Sequence, residues 1–354
     1  MRQTDSSQRK ADHLRICLEN DVQATGITTG LEHYRLVHQG LPEMSLSDVN
    51  TSTVLAGKPL RFPLVVSAMT GGTPEAAAIN VNLATAAQAL GLAMVMGSQR
   101  SAIEKPELAA SYQVRHVAPD ILLFANLGAV QLNEDFGVEE CKRAVEMIEA
   151  DGLALHLNPL QECLQPEGNH NFRNLADKIG AIAAELEVPV LVKEVGWGVS
   201  TRVATLLYNA GIRLLDVAGA GGTSWSRVER ERVSDERLKT VAEAFSSWGI
   251  PTAESILNAR QVSQDIVIIA SGGIRTGVDV AKAIALGATA VGIALPLLHP
   301  ATKSPDAVLN YLTGICHQLR VAMFCTASRN LSALSRAIEP VRPPCWPAKG
   351  ADSS

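Results

Sequence analysis

"IVIIASGGIRTGVDVAKAIALGATAVGIALP", residues 266–296, decides the fold. It opens on an apolar run, IVIIA, and turns glycine-rich at SGGIRTG. It continues as the alanine-rich stretch VDVAKAIALGA and returns to a second apolar run, AVGIALP. A run apolar on both faces suits a strand of a parallel sheet, and consecutive parallel strands need a crossover that is usually a helix. The stretch therefore reads as strand, helix, strand.

The same alternation extends back along the chain. Further apolar runs are PLVVSAM (63–69), LAMVMGS (92–98), ILLFANLG (121–128), GLALHLN (152–158), PVLVKEVG (189–196) and RLLDVAGA (213–220). With IVIIASGG (266–273) and AVGIALP (290–296) they make eight. Helix-like segments such as AINVNLATAAQALG lie between them. Eight such units over about 250 residues predict an α/β fold, a (β/α)8 TIM barrel. The expected organisation is an N-terminal extension over residues 1–60 packing on the barrel, the barrel over 61–337, and a Pro-rich tail over 338–354. The gap after the sixth run, GGTSWSRVERERVSDERLKTVAEAFSSWGIPT, is long enough to include a lid.

The bulk properties fit one large α/β unit. Of 354 residues, 47% are apolar, enough for a sizeable core. The formal charge of −5 and the lack of a basic run argue against nucleic acid as a partner. The opening MRQTDSSQRKADHL has no apolar leader core. No stretch approaches the roughly 18 uninterrupted apolar residues of a membrane helix. The six cysteines, Cys17, Cys141, Cys163, Cys316, Cys325 and Cys345, form no CxxC pair. The expectation is a soluble, reduced, cytoplasmic protein with no membrane partner.

Functional groups of a barrel sit at the C-terminal ends of its strands. Here those ends read SAMTGG, GSQR, ANLG, HLNPLQE, KEVG, AGAGGTS, SGGIR and ALP. Almost every apolar run turns polar or glycine-rich where it ends. In GLALHLNPLQE the two-residue period puts Ala154, His156 and Asn158 on one face and Leu153, Leu155 and Leu157 on the other. If the leucines pack outward on helices, His156 and Asn158 enter the barrel mouth. Gln161 and Glu162 then follow Pro159 on the loop above. The alternative is a capped strand with one satisfied core histidine.

SGGIRTG, with GIAL after strand eight, suits a phosphate, because glycine backbone N–H groups can approach an anion beside a helix N-terminus. A plain turn is the alternative. AGAGGTS is similarly ambiguous, with Thr223 and Ser224 adding hydroxyls, and SAMTGG could face a flat heterocycle. Lys193 lies inside an apolar strand, where an ammonium is costly without an anion, although Glu194 could pair with it. Arg100 and the pair Arg9–Lys10 are further candidate anion clamps, although the latter pair on its own reads first as solvated terminal charge. Glu162 is the lone carboxylate of its cluster. One carboxylate, with phosphate oxygens and water, is a common Mg²⁺ arrangement, and a surface glutamate is the alternative.

With these residues in view, the chain resembles the type 2 isopentenyl-diphosphate Δ-isomerases, FMN-dependent (β/α)8-barrel enzymes. The resemblance runs from about Gln8 to the helix after strand eight. It is carried by RKADHLRICLENDV, TTGLEHYRLVHQGLPE, PLVVSAMTGGT, GSQR, ANLGAVQL, HLNPLQE, VKEVGWGVS, DVAGAGGTSW and SGGIRTG. It implies a 1,3-proton shift between isopentenyl and dimethylallyl diphosphate on reduced FMN with Mg²⁺, NADPH serving only to reduce the flavin. It implies that Ser67, Ala68, Met69, Thr70, Ser98 and Asn126 line the flavin, with Lys193 beside its N1. Thr223, Gly272, Gly273, Ile274, Arg275, Ala294 and Leu295 would hold the ribityl phosphate. Arg9, Lys10, Ser98, Gln99 and Arg100 would hold the substrate diphosphate, with His156 and Asn158 shaping the pocket floor. Gln161 would meet the reacting carbons and Glu162 would bind the metal. The resemblance also implies a homo-oligomer, a tetramer or octamer.

Three readings compete. A 2-hydroxy-acid oxidase wants a strand-end histidine paired with an arginine. A barrel nucleotide dehydrogenase wants a nucleophilic cysteine in a mobile loop, and GGTSW has none. A flavin-binding protein without turnover would share the pocket but not the reaction.

Overall fold

The computed structural model describes residues 6–341; residues 1–5 and the stretch 342–354, most of the Pro-rich tail and Cys345 included, lie outside the described residues. Helix α1, Ser6–Glu19, precedes the barrel. The barrel strands are β1 (Leu64–Val66), β2 (Ala93–Val95), β3 (Leu122–Gly128), β4 (Gly152–Leu157), β5 (Val190–Glu194), β6 (Leu214–Asp216), β7 (Val267–Ala270) and β8 (Ala290–Ile293). Each lies inside one of the eight apolar runs. Neighbours pair in parallel in sequence order, and β8 returns to β1 through Val291 opposite Leu64, closing the barrel.

Between and after the strands run α2 (Pro74–Leu90), α3 (Arg100–Glu104), α4 (Val138–Met147), α5 (Pro159–Leu164), α6 (Leu175–Glu185) and α7 (Thr201–Asn209). Then come α8 (Trp225–Arg232), α9 (Glu236–Ala244), α10 (Thr252–Val262), α11 (Gly277–Ala285), α12 (Leu295–Lys303) and α13 (Pro305–Cys325). Local chemistry sets several starts. Thr73 caps α2 by accepting from the Ala76 N–H, with Pro74 at the first turn. Thr276 and Asp279 form a reciprocal capping box on α11.

Strand parity sorts the core into two layers. Val65, Ala93, Val95, Leu122, Phe124, Ala154, Leu191, Leu214, Ile269 and Ala290 fill the barrel interior. Leu153, Leu155, Val192 and Leu215 face the surrounding helices. A hairpin of Thr53–Leu55 and Lys58–Leu60 brings Leu55 and Leu60 into the interior layer. The packed interior leaves the C-terminal mouth as the place for a ligand.

Two segments outside the barrel strands are also structured. The long stretch after β6 folds as α8 and α9, and α8 packs against both α9 and α1. The start of the tail is an ordered strand: Ile338–Pro340 pairs antiparallel with Tyr34–Leu36 of the N-terminal extension. Backbone pairing there ties the C-terminal end of the described chain to the segment ahead of the barrel. Among the described residues no helix is long and apolar enough to cross a membrane, and Cys17, Cys141, Cys163, Cys316 and Cys325 are free.

Candidate active site at the mouth of the barrel

One cavity opens at the C-terminal ends of the strands. The residues expected there line it: Arg9, Lys10, Ser67, Ala68, Met69, Thr70, Ser98, Arg100, Asn126, His156, Asn158, Gln161, Glu162, Lys193, Thr223, Gly272, Gly273, Ile274, Arg275, Ala294 and Leu295. Gln99 is the exception. Its side chain is fully buried behind the wall, donating to Ala144 O at 2.9 Å and accepting from Asn126 N at 2.9 Å. Ser98 and Arg100 reach the cavity on either side of it, so Gln99 braces the β2 end against β3 and α4.

The wall is electropositive. Arg9, Lys10, Arg100, Lys193 and Arg275 all reach it, against one lining carboxylate, Glu162. Burial, with the Arg9 charge beside it, brings the Lys10 ammonium down to about 7. Its N–H groups reach Ser98 O, Ser101 Oγ and Tyr112 OH. Arg100 is held by Glu104 at 2.7 Å and Glu134 at 3.7 Å. Lys193 is buried and donates to Glu194 O at 2.6 Å. The Glu194 carboxylate does not pair with that ammonium. It accepts from the N–H groups of Val195, Gly196 and Trp197 at 2.6–2.8 Å, and burial pushes it up to about 7 against their pull.

His156 is fixed as a neutral ring. Asn126 Nδ2 donates to Met96 O at 2.8 Å, so Asn126 Oδ1 faces His156 Nδ1, also at 2.8 Å. The ring therefore carries its proton on Nδ1 and leaves Nε2 unprotonated. Burial, then the Lys193, Lys10 and Arg9 charges, press its pKa down to about 3. The His156 ring should show no titration between pH 5 and 9 in a ¹⁵N NMR experiment. An inflection near the usual histidine value of about 6.5 would contradict this environment.

A buried polar chain backs the other wall. Glu162 Oε1 accepts from Asn158 Nδ2 at 2.8 Å, and Oε2 accepts from Asn169 N at 2.7 Å. Asn158 Nδ2 also reaches Gln161 Oε1 at 3.3 Å, and Gln161 Nε2 donates to Glu229 Oε1 at 3.2 Å. Glu229, on α8, is wholly buried. Burial opposes its ionisation, but His13 at 2.9 Å and Arg232 at 2.7 Å hold it down to about 2. Gln165 joins Glu229 to Arg9.

Two buried cavity atoms, Ser67 Oγ and Asn158 Oδ1, find no hydrogen-bond partner within the protein. An unpaired buried polar atom costs about 1–3 kcal/mol, so both are built to meet a ligand or water. They lie on opposite sides of the site, one in the SAMTGG loop and one beside Glu162. Among the described residues no group of three or more His, Cys, Asp or Glu could hold a metal by itself.

A family model described as FMN-dependent dehydrogenase matches residues 152–339. The isopentenyl-diphosphate delta-isomerase of a Nostoc species is 50% identical over 337 residues, spanning 94% of this chain and 96% of that protein. That of a Synechocystis species is 53% identical over 328 residues, spanning 93% and 94%. The chain belongs to the isopentenyl-diphosphate delta-isomerase family. Solved structures of a flavocytochrome b2 variant with sulfite and a mandelate oxidase variant with (S)-mandelic acid share the barrel, with TM-scores of 0.66 and 0.64. The first alignment spans 92% of this chain and 82% of that one; the second spans 96% and 100%. At 17% and 18% identity they speak to fold alone.

Several residues of this isomerase-family site escaped the sequence reading. His13, Leu14, Cys17, Gln131, Gln165 and Trp225 also line the cavity, and Glu229 stands behind it. One signal was available: Arg9, His13 and Cys17 recur every four residues, as one helix face requires. Glu229 sits in the charge-rich SRVERER, which reads as a solvated helix until α1 covers it.

Proposed function

We propose that the protein interconverts isopentenyl diphosphate and dimethylallyl diphosphate by a 1,3-proton shift, with reduced FMN and Mg²⁺. The observation that carries this reading is the cavity itself: five cationic side chains around one carboxylate, with buried polar atoms left open on both sides. NADPH would serve only to reduce the flavin, because the reaction has no net redox change.

The residues present fit FMN. Ser67–Thr70, Ser98 and Asn126 would line its ring, with the unpaired Ser67 Oγ among the polar groups facing it. Lys193 would stand where reduced flavin carries negative charge. Thr223, Gly272–Arg275 and Ala294–Leu295 would hold its phosphate beside the α12 N-terminus, which has no side-chain cap. Bound reduced FMN supplies acid–base groups and an electron-rich face beside a cation-like substrate carbon. The chain's part is binding, orientation and exclusion of water.

The substrate alkene has no carbonyl to acidify its allylic proton, so protonation of the terminal carbon comes first. Arg100 and Arg9 would take diphosphate oxygens, and Lys10 would add its charge from its tethered position. Each Glu162 oxygen accepts one hydrogen bond and keeps a lone pair for Mg²⁺. Gln161, fixed between Asn158 and Glu229, would meet the reacting end. Neutral His156 would border the substrate pocket without adding charge.

Conversion of isopentenyl diphosphate by FMN-loaded, reduced protein tests the reading, and its absence overturns it. Two variants locate the ends of the substrate. Arg100→Ala should raise KM roughly 10- to 100-fold by removing a fork-shaped anion donor. Gln161→Ala should instead lower kcat about 10-fold with KM little changed. If Arg100→Ala leaves KM unchanged, the diphosphate lies elsewhere.

A further inference from the structure

Tyr112 is fully buried at the end of a 3-10 turn, Pro106–Tyr112. Its hydroxyl lies 2.9 Å from Ser98 O, to which it donates, and 2.9 Å from Ser101 Oγ. It also accepts from Lys10 Nζ, which reaches Ser101 Oγ at 3.0 Å and Ser98 O as well. The ammonium stands 5.0 Å from the Tyr112 ring centroid. A lysine ammonium has three N–H groups, and three acceptors on the barrel receive them. The ring also fills the space beside the loop after β1: a Cβ at Gly71 would come within 2.0 Å of it. The next residue's N–H, that of Gly72, donates to Ser111 Oγ at 2.8 Å. One side chain thus joins α1, the end of β2 and the SAMTGG loop.

We propose that Tyr112 is a positioning residue whose phenol, together with Ser98 O and Ser101, clamps Lys10 and so holds helix α1 over the cavity. The clamp explains how α1, ahead of the barrel in sequence, keeps Arg9 and His13 at the site. It also gives Lys10 a role apart from direct contact with a diphosphate. The effect on catalysis rests on the proposed isomerase reading; the docking of α1 does not.

The test uses FMN-loaded full-length protein and the variants Tyr112→Phe, Lys10→Met and the double variant. Tyr112→Phe keeps the ring against Gly71 and loses only the hydroxyl. Tryptic cleavage after Arg15, a site on α1 present in every variant, reports undocking. It should quicken on the order of 10-fold in Tyr112→Phe, the loss expected for a hydrogen bond to a charged group. Lys10→Met should quicken it at least as much, and the double variant should be no faster than Lys10→Met. KM for isopentenyl diphosphate should rise with kcat nearly kept, and FMN affinity should not move. Wild-type cleavage in Tyr112→Phe, or effects that multiply in full in the double variant, would overturn the clamp. If Tyr112→Phe does not fold, Ser101→Ala, which keeps the phenol, must show the faster cleavage or the proposal fails. Absence of turnover in the wild type would sink the isomerase reading, while the cleavage rates still decide the clamp.

Discussion

Glu162→Gln is expected to lower kcat/KM for isopentenyl diphosphate on the order of 10²–10³-fold at subsaturating Mg²⁺, with FMN still bound. The reason is local. Among the described residues Glu162 is the one carboxylate lining the cavity, and no group of three or more His, Cys, Asp or Glu stands ready to hold a metal. Its oxygens are oriented by Asn158 and by the Asn169 N–H, which would pre-set it for the proposed Mg²⁺. Glutamine keeps the shape and removes both the charge and a good ligand. It would also turn an N–H donor toward Asn158 Nδ2 or Asn169 N. The Mg²⁺ concentration giving half activity should therefore rise steeply. Measurement is a Mg²⁺ titration of initial rate with flavin occupancy monitored by absorbance. An unchanged Mg²⁺ dependence at full flavin occupancy would place the metal elsewhere.

Gly272→Val should weaken FMN binding by about 10²-fold or more, since left-handed strain of about 1–3 kcal/mol adds to a steric clash. Gly272 has φ +105°, and a Cβ there would lie 2.1 Å from Gly219 O. Both residues line the cavity on loops that close over the proposed phosphate site. Valine would drive those loops apart at the mouth, while the strand interiors below keep their packing. Flavin titration of the apoprotein, with circular dichroism as a fold control, measures the effect. Wild-type FMN affinity in a folded variant would mean that the phosphate is not held by this turn.

The barrel was legible because its information is local. Each strand is an apolar run, and the two-residue period places Leu153 and Leu155 outside and Ala154 inside, which turns His156 into the mouth. Lys193 follows Leu191 by the same parity. Gln99 shows the limit of reading strand ends by composition. It is polar and flanked by two cavity residues, but it alternates away from them and is used within the wall. The runs also overstate the strands. PLVVSAM is strand only over Leu64–Val66: Ser67 N still donates to Ile293 O at 2.9 Å, and Ser67–Thr70 then line the cavity. Glu229 and Tyr112 were not legible. Glu229 is buried where α8 packs against α1, α5 and α9, and Tyr112 meets Lys10 across 102 positions of sequence. Such contacts come from tertiary packing, which neither composition nor period encodes.

The proposed reaction is isomerisation on reduced flavin without consumption of reductant. The direct measurement is anaerobic: FMN-loaded protein reduced by one equivalent of dithionite, given isopentenyl diphosphate and Mg²⁺, with dimethylallyl diphosphate quantified against the reductant. Many product molecules per equivalent of dithionite, and essentially none from the oxidised protein, is the result this account predicts. No dimethylallyl diphosphate, or one product formed per reducing equivalent consumed, would contradict it.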